Sequence, residues 1–417
     1  MKNSYISAAA LAAALTLSIS HAQSADMIID NPETGFQWSG FYIGGGVGAG
    51  AVNHEFSIAG GSFDGLGGEG VYGELSLGYD YMLTDRFLLG GFISARMGMV
   101  ETTLSIPTVA DTTATLDHGF DAGVRAGYLI TPETLGYVLA GYSYQNLDIS
   151  VPPLAFSTDE DFSGFVVGFG LETAITNRLT AKVEYNYRQY GGEDFGTGGA
   201  FSIEPSTHTV LLGLNYRFGG SADAPVATFA APAANWTGFY ISGSAGAAGL
   251  VHELSSPLAP GISLNGIGAE GLVGSLGIGY DHDFGNVVAG IQLRGRVSSV
   301  STDLNFGGLS GSIDETYGVD VIGRLGYKFT DAAMIYGLAG YSHAKFDLST
   351  NVTGSITKPD SSGFVIGAGI ETAITDHVFA GVEYRYADYS KIDVLGLGAI
   401  NVEPSSHSGE LTLKYKF

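Results

Sequence analysis

The 417-residue chain contains no cysteine. A disulfide framework, a thiol nucleophile and a thiolate metal site are all excluded by that absence. Positive charge is also scarce: 18 Lys+Arg stand against 42 Asp+Glu, giving a net charge of −24 and a pI near 4.5. Nucleic acid is bound by cations that neutralise phosphates, so that class of partner is set aside. Beyond the N-terminus no run reaches the about 18 consecutive apolar residues of a spanning helix, so the mature chain carries no transmembrane helix. There is no GxSxG elbow, HExxH pair or Walker loop, and no serine and histidine stand at a triad-like spacing. No catalytic residue, resident metal or cofactor is assigned, and the chain is not read as an enzyme.

What is plentiful is glycine, at 64 residues, with 23 Tyr and 23 Phe in a chain whose charged fraction is only 14%. Disordered chains lack aromatic and β-branched residues, so this is a folded composition. Glycine recurs inside hydrophobic stretches instead of marking occasional loops, which argues against an α/β enzyme. GGGVGAG (44–50) resembles a nucleotide loop, but it lies within a strand pattern and precedes no helix.

The N-terminus places Lys2 before an apolar run of small residues ending at Ser20-His21-Ala22. That is the pattern of a secretory signal peptide, residues 1–22. From Trp38 and from Trp236 the chain then reads twice. GYDY (78–81) answers GYDH (279–282), RAGY (125–128) answers RLGY (324–327), and LAGYS stands at 139–143 and 338–342. GLETAIT (170–176) answers GIETAIT (369–375), and VEYNY (183–187) answers VEYRY (382–386). Each copy is domain-sized, far longer than a solenoid repeat. The organisation expected is an N-terminal segment at 23–35, a first unit at 36–218, an Ala/Pro/Gly linker at 219–235 and a second unit at 236–417.

Inside each copy the apolar period is two. Leu179, Ala181, Val183, Tyr185 and Tyr187 alternate with Thr180, Lys182, Glu184, Asn186 and Arg188. Val210, Leu212, Leu214, Tyr216 and Phe218 alternate in the same way with Thr209, Leu211, Gly213, Asn215 and Arg217. Roughly ten residues of such alternation, tilted, span the apolar band of an outer membrane. Eight strands fit each copy. Short connections at 83–86, 131–134 and 176–177 alternate with long ones near 55–68, 102–115, 149–161 and 191–206. Short turns at one end and long loops at the other are the signature of a transmembrane antiparallel β-barrel. The fold expected is all-β, with two tandem eight-stranded barrels. The alternative is one sixteen-stranded barrel around an aqueous pore.

The face opposite the apolar one carries Arg96, Asp121, Arg125, Glu172 and Glu184 in the first copy. Arg296, Asp320, Arg324, Glu371 and Glu383 match them in the second. Facing lipid, an arginine at the midplane costs about 2–4 kcal/mol, so these groups are expected to pair across a narrow lumen. The interior ion network is expected to plug each barrel; the sharper alternative is a proton or ion path. Gly44, Gly46, Gly48, Gly164, Gly168 and Gly170 share the inner face, where an eight-stranded wall leaves room only for side chains.

Histidines offer a ligand hypothesis. His54 and His252 follow the first strand of each copy, and His208 and His407 enter the last. First and last strands are neighbours in a closed barrel, so the set is a candidate haem or divalent-metal site; against it, His208 takes the outward parity and His54 the inward one. The first copy's long loops hold Asp64, Glu101, Asp111, Asp148, Asp159, Glu160, Asp161, Glu193 and Asp194. Such carboxylates suit either a solvated rim or the cations that bridge lipopolysaccharide phosphates.

Taken in order, WSGFY (38–42), WTGFY (236–240), GYDY, RAGY, LAGYS, GLETAIT, VEYNY and the terminal YKF resemble a known family. It is the small outer-membrane β-barrel family of α-proteobacteria, the outer-membrane immunogenic or porin-like surface proteins, some of which bind haemin. The family usually has one barrel per chain, and this chain departs from it as a tandem duplication. The resemblance implies export to the bacterial outer membrane, where lipid and lipopolysaccharide are the surroundings. Periplasmic chaperones and the barrel-assembly machinery are the implied partners, with Tyr415 and Phe417 as the terminal assembly signal. The function expected is that of a structural, surface-exposed protein with plugged lumens and acidic outer loops. A passive porin and a surface receptor for haem, a host molecule or another ligand are the alternatives.

Overall fold

A computed structural model of the chain describes residues 36–417 apart from 59–60, 106–110, 153–155, 196–200, 220–224, 228, 259–262, 307, 352–353, 358 and 394–400. The expected signal peptide and the segment 23–35 lie outside the described residues. In the first half the strands are β1 (Gly40–Ile58), β2 (Gly61–Met82), β3 (Phe87–Ser105), β4 (Thr112–Thr131), β5 (Thr134–Val151), β6 (Phe156–Ala174), β7 (Leu179–Tyr190), the short β8 (Glu193–Phe195) and β9 (Phe201–Arg217). Each wall strand pairs antiparallel with the next. The ring closes where β1 meets β9, from Tyr42 opposite Arg217 to Ile58 opposite Phe201.

The second half repeats the plan. Its strands are β10 (Gly238–Ser255), β11 (Ser263–Asp283), β12 (Val287–Ser298), β13 (Ser301–Phe306), β14 (Leu309–Lys328), β15 (Ala333–Thr350), β16 (Gly354–Thr357), β17 (Asp360–Ala373), β18 (Val378–Tyr389), β19 (Ile392–Asp393) and β20 (Asn401–Lys416). β13, β16 and β19 are short pieces beyond the eight that close the wall, and closure is by β10 on β20. The strands therefore form two closed rings of eight and not one ring of sixteen.

Alternation decides which face is which. Phe41, Ile43, Leu75, Leu77 and Tyr79 are exposed on the outside of the first ring, while Tyr42, Glu74, Ser76 and Asp80 are buried inside it. The expected long loops are in part strand. β1 runs on to Ile58 and β2 starts at Gly61, and β5 and β6 stay paired out to Val151 and Phe156. Past the lipid band no apolar face is required, so the ladder continues there without the alternation that reveals it in the sequence.

The two rings are joined at the long-hairpin end by a reciprocal exchange of strand edges. Gly61–Phe63 of β2 pairs with β13 of the second ring, Leu304 opposite Phe63 and Phe306 opposite Gly61. Thr103–Ser105 of β3 pairs with β11, Ser263 opposite Ser105 and Asn265 opposite Thr103. Below the exchange, Thr102 donates to the carbonyl of Gly67 at 2.7 Å, and Thr302 donates to that of Gly268 at 2.6 Å. Gly67 and Gly268 are equivalent residues that meet here: a Cβ on Gly67 would lie 2.5 Å from the Cα of Gly268. Only glycine permits that approach.

Candidate functional site: two lumens and the seam between them

Each lumen is filled in tiers. Nearest the short turns of the first ring, Arg125 and Arg217 alternate with Asp80 and Glu172. Arg125 reaches Asp80 and Glu172, and Arg217 reaches the same two carboxylates, with contacts of 2.9 Å. Arg125 also lies 4.7 Å from the centre of the Tyr42 ring, and Arg217 lies 4.6 Å from that of Trp38. Bidentate guanidinium forks suit such a closed square of charges. In the middle, Lys182 stands 3.3 Å from Glu184 and 3.8 Å from Glu74, and Tyr137 donates to Glu184 at 2.7 Å. Above them Asp121 is held between Arg96 and Arg188, the latter at 2.9 Å.

The second lumen has the same tiers with some partners moved around the wall. Asp281 and Glu371 meet Arg324, Lys414 and Lys416. Glu383 meets Arg294 at 2.6 Å, and Tyr336 donates to it at 2.8 Å. Asp320 sits 3.0 Å from Arg296 and 3.2 Å from Arg385. Where the first ring has Lys182 on β7, the second has Gly381. Its replacement, Arg294, comes from β12, at the position held by Ser94 in the first ring. Likewise Ser275 stands where the first ring has Glu74, and Glu410 stands where it has Leu211.

The charges cancel in both lumens. Glu74, Asp80, Asp121, Glu172 and Glu184 are five buried acids, and Arg96, Arg125, Lys182, Arg188 and Arg217 are five buried bases. In the second ring Asp281, Glu315, Asp320, Glu371, Glu383 and Glu410 answer Arg294, Arg296, Arg324, Arg385, Lys414 and Lys416, six against six. Inner-face glycines leave the space: a Cβ on Gly48 would be 2.3 Å from the Tyr72 ring, and one on Gly170 would be 2.6 Å from the Tyr137 ring.

Apolar layers lie at both ends of the tiers. At the short-turn end Trp38 is buried with Leu88, Leu129, Leu135 and Ala227, its indole donating to the carbonyl of Pro132 at 2.9 Å. Ala227 belongs to the expected linker, which is thus docked in the mouth of the first ring. Trp236 does the same in the second ring through the carbonyl of Asp331. At the other end Val52, Val100, Leu116, Leu147, Phe162 and Tyr190 form a cluster across the first lumen.

All ten charged residues expected inside from the sequence are inside and engaged. Glu74, Asp80, Lys182, Arg188 and Arg217 of the first ring and Asp281, Arg294, Glu315, Arg385, Glu410, Lys414 and Lys416 of the second complete the network and were not singled out. Parity alone could have found all of them but Glu315, which a register shift in its strand turns inward. The four histidines do not converge. His54 and His252 are buried inside their rings, and neither ring nitrogen of His54 has a hydrogen-bond partner among the described residues. His208 and His407 lie on the outer faces, in the seam. No group of three or more His, Asp or Glu among the described residues is placed to hold a metal ion. This corrects the idea of a composite histidine site, because adjacent-strand neighbours on opposite faces are separated by the wall itself.

The seam was not foreseen. Ala49, Leu171, Ala181, Val183, Tyr185 and Val210, all of outward parity, are buried against Ile370, Val382, Tyr384 and Tyr386 of the second ring. Alternation marks the outer face of a wall but does not say whether lipid or protein covers it. Two polar sets stand in the seam. Glu69 accepts from Ser405 at 2.7 Å and lies 3.0 Å from His407, whose other nitrogen is 2.8 Å from the Tyr384 hydroxyl. Glu270 accepts from Ser206 at 2.6 Å and lies 3.1 Å from His208, which is 2.6 Å from the Tyr185 hydroxyl. The terminal aromatics also match: the amide of Phe417 donates to Phe239, as that of Phe218 does to Phe41, each at 3.0 Å.

Comparison with known proteins agrees with this architecture. The family described as "Outer membrane protein beta-barrel domain" matches residues 9–218 and again residues 222–417. The chain is 33% identical over 214 residues to the 31 kDa outer-membrane immunogenic protein of Brucella melitensis biotype 1, covering 46% of this chain and 87% of that protein. It is 28% identical over 196 residues to the 22 kDa outer membrane protein of Rhizobium leguminosarum bv. viciae, covering 45% and 80%. Among solved structures, Neisserial surface protein A aligns at 17% identity over 43% of this chain and 98% of its own, with a TM-score of 0.29, too low to bear on fold or function. The chain is an outer-membrane β-barrel protein and belongs to the outer membrane protein β-barrel domain family, whose domain it carries twice.

Proposed function

We propose that this protein is a structural, surface-exposed component of the outer membrane, whose two barrels are plugged and conduct nothing. The observation that carries this reading is the charge balance of each lumen, five acids against five bases in one and six against six in the other. A conducting or proton-relaying path needs groups free to exchange partners with water. These groups instead satisfy one another in fixed tiers between apolar layers. The redistribution of partners between the rings, with neutrality kept, supports a packing role over a transport role. A transport path would depend on particular residues at particular positions. Relatives named immunogenic are consistent with outer hairpins that face the exterior. The paired carboxylates there, such as Asp148 opposite Asp159, suit contact with the cation-bridged lipopolysaccharide layer.

Short periplasmic turns and long outer hairpins fix the orientation. An epitope inserted at Gly191–Gly192, between β7 and β8, is expected to bind antibody on intact cells. One inserted at Gly285, between β11 and β12, is expected to bind only after permeabilisation. The reverse pattern would end the reading.

A further inference from the structure

The seam closes only part of the space between the barrels. Toward the short turns the walls part, leaving an apolar crevice of about 1630 Å³ at membrane depth. Leu89, Val138 and Phe169 line it from the first ring, and Leu276, Ile278 and Leu413 from the second. Two features of it together bear on what it holds, although a second arginine–tyrosine pair, Arg178 donating to Tyr216 at 3.3 Å, stands at another short turn away from it. It has two walls, being the downward continuation of the inter-barrel interface. It also has a cation at its periplasmic rim. Tyr128 lines the crevice, and half-buried Arg86 donates to its hydroxyl at 3.2 Å. Phe229 of the linker lies beneath the Arg86 guanidinium, 3.7 Å from it, and so orients it. On the facing wall Tyr415, also in the lining, stacks on His377 at 5.9 Å.

We propose that this crevice is a binding site for one diacyl phospholipid of the periplasmic leaflet, acyl chains between the barrels and phosphate on Arg86. The volume exceeds the roughly 300–1,000 Å³ of a drug-sized pocket and suits two chains better than one. Basic residues between membrane-embedded elements capture lipid headgroups, and tyrosines mark headgroup depth. In a chain with 18 Lys+Arg, most of them inside the lumens, a half-buried arginine at this rim supplies the charge that an anionic phosphodiester needs. The lipid would fill the wedge that the seam leaves open, so the pair of barrels and one lipid make a single packed unit.

The test is native mass spectrometry of the full chain in detergent, supplied with palmitoyl-oleoyl phosphatidylglycerol. Lysophosphatidylglycerol and palmitoyl-oleoyl glycerol serve as the one-chain and phosphate-free comparisons. One phosphatidylglycerol per chain is expected to survive activation that strips the other two. Val138→Trp with Leu276→Trp fills the crevice and should abolish retention. Val124→Trp with Val321→Trp alters lipid-facing positions outside it and outside its symmetry equivalent, and should not. Arg86→Gln should weaken retention roughly tenfold. Heat-modifiable migration shows that each variant is folded. The proposal is overturned if the intact protein retains no lipid, or if the crevice-filling and control variants retain it equally.

Discussion

Oε2 of Glu69, in the first ring, lies 3.0 Å from Nε2 of His407, in the second, 338 positions further along the chain. Glu270 and His208 repeat the contact in the opposite sense at 3.1 Å. Two equivalent surfaces each give a carboxylate and receive one, the hallmark of an isologous, twofold joint. Here the joint is formed within one polypeptide. Lipid is as apolar as leucine, so burying the leucines and valines of the seam does not by itself favour protein over lipid. The glutamate–histidine–tyrosine sets and the exchanged strand edges supply the preference.

The strand exchange makes a geometric prediction. Ser105 and Ser263 are opposed in an antiparallel ladder, where Cα atoms stand roughly 4.5–5.5 Å apart, within disulfide range. In this cysteine-free chain, Ser105→Cys with Ser263→Cys is expected to form an inter-barrel disulfide on mild oxidation. After cleavage at a protease site placed in the linker, the two halves should migrate together until reduced. Halves that separate without reductant would mean that the edges are not exchanged.

Removing both seam carboxylates should loosen the joint without unfolding either ring. In a Glu69→Ala, Glu270→Ala protein, His208 and His407 lose charge-assisted contacts worth about 1.5–3 kcal/mol each. Spin labels on the outer hairpins of the two rings are expected to give a broader, longer distance distribution, with heat-modifiable migration kept. An unchanged distribution would show that the latches contribute nothing.

Buried charges that lose a partner are costly. Arg125 faces Asp80 and Glu172, so Arg125→Ala leaves two carboxylates opposite Arg217 alone and should cost about 3–5 kcal/mol. The two tryptophans occupy one ring each, so in a Trp236→Phe background the fluorescence of Trp38 reports on the first ring. The urea midpoint of that signal is expected to fall. A midpoint equal to that of the parent would show that Arg125 is dispensable.

The two halves also predict a rescue. Lys182→Gly should destabilise the first ring by about 3 kcal/mol, since Glu74 and Glu184 lose their cation. Adding Ser94→Arg reproduces the second ring's arrangement of Arg294 and Gly381, and should recover at least half of the loss. Additive losses in the double-mutant cycle would refute the equivalence of the two solutions.

Much of this was legible from alternation. Phe239 and Ile241 face outward and Tyr240 inward as their parity requires, and the charged residues at matching positions of the two copies lie inside both rings. The seam was hidden because Val183 and Tyr185 read the same whether lipid or the second barrel covers them. The exchange was hidden because it joins edges far apart in sequence, on strand extensions with no lipid face. The linker looked like a spacer by composition, yet Ala227 is packed against Trp38. The histidines divide as their parity requires, His54 inside its ring and His208 outside it, so strand adjacency alone does not bring them together.

The most direct test of the central claim is planar-bilayer recording of the full refolded chain. Two neutral, tiered lumens between apolar layers predict no steady conductance above the bilayer baseline at either polarity. Large, steady, reproducible openings would contradict the account.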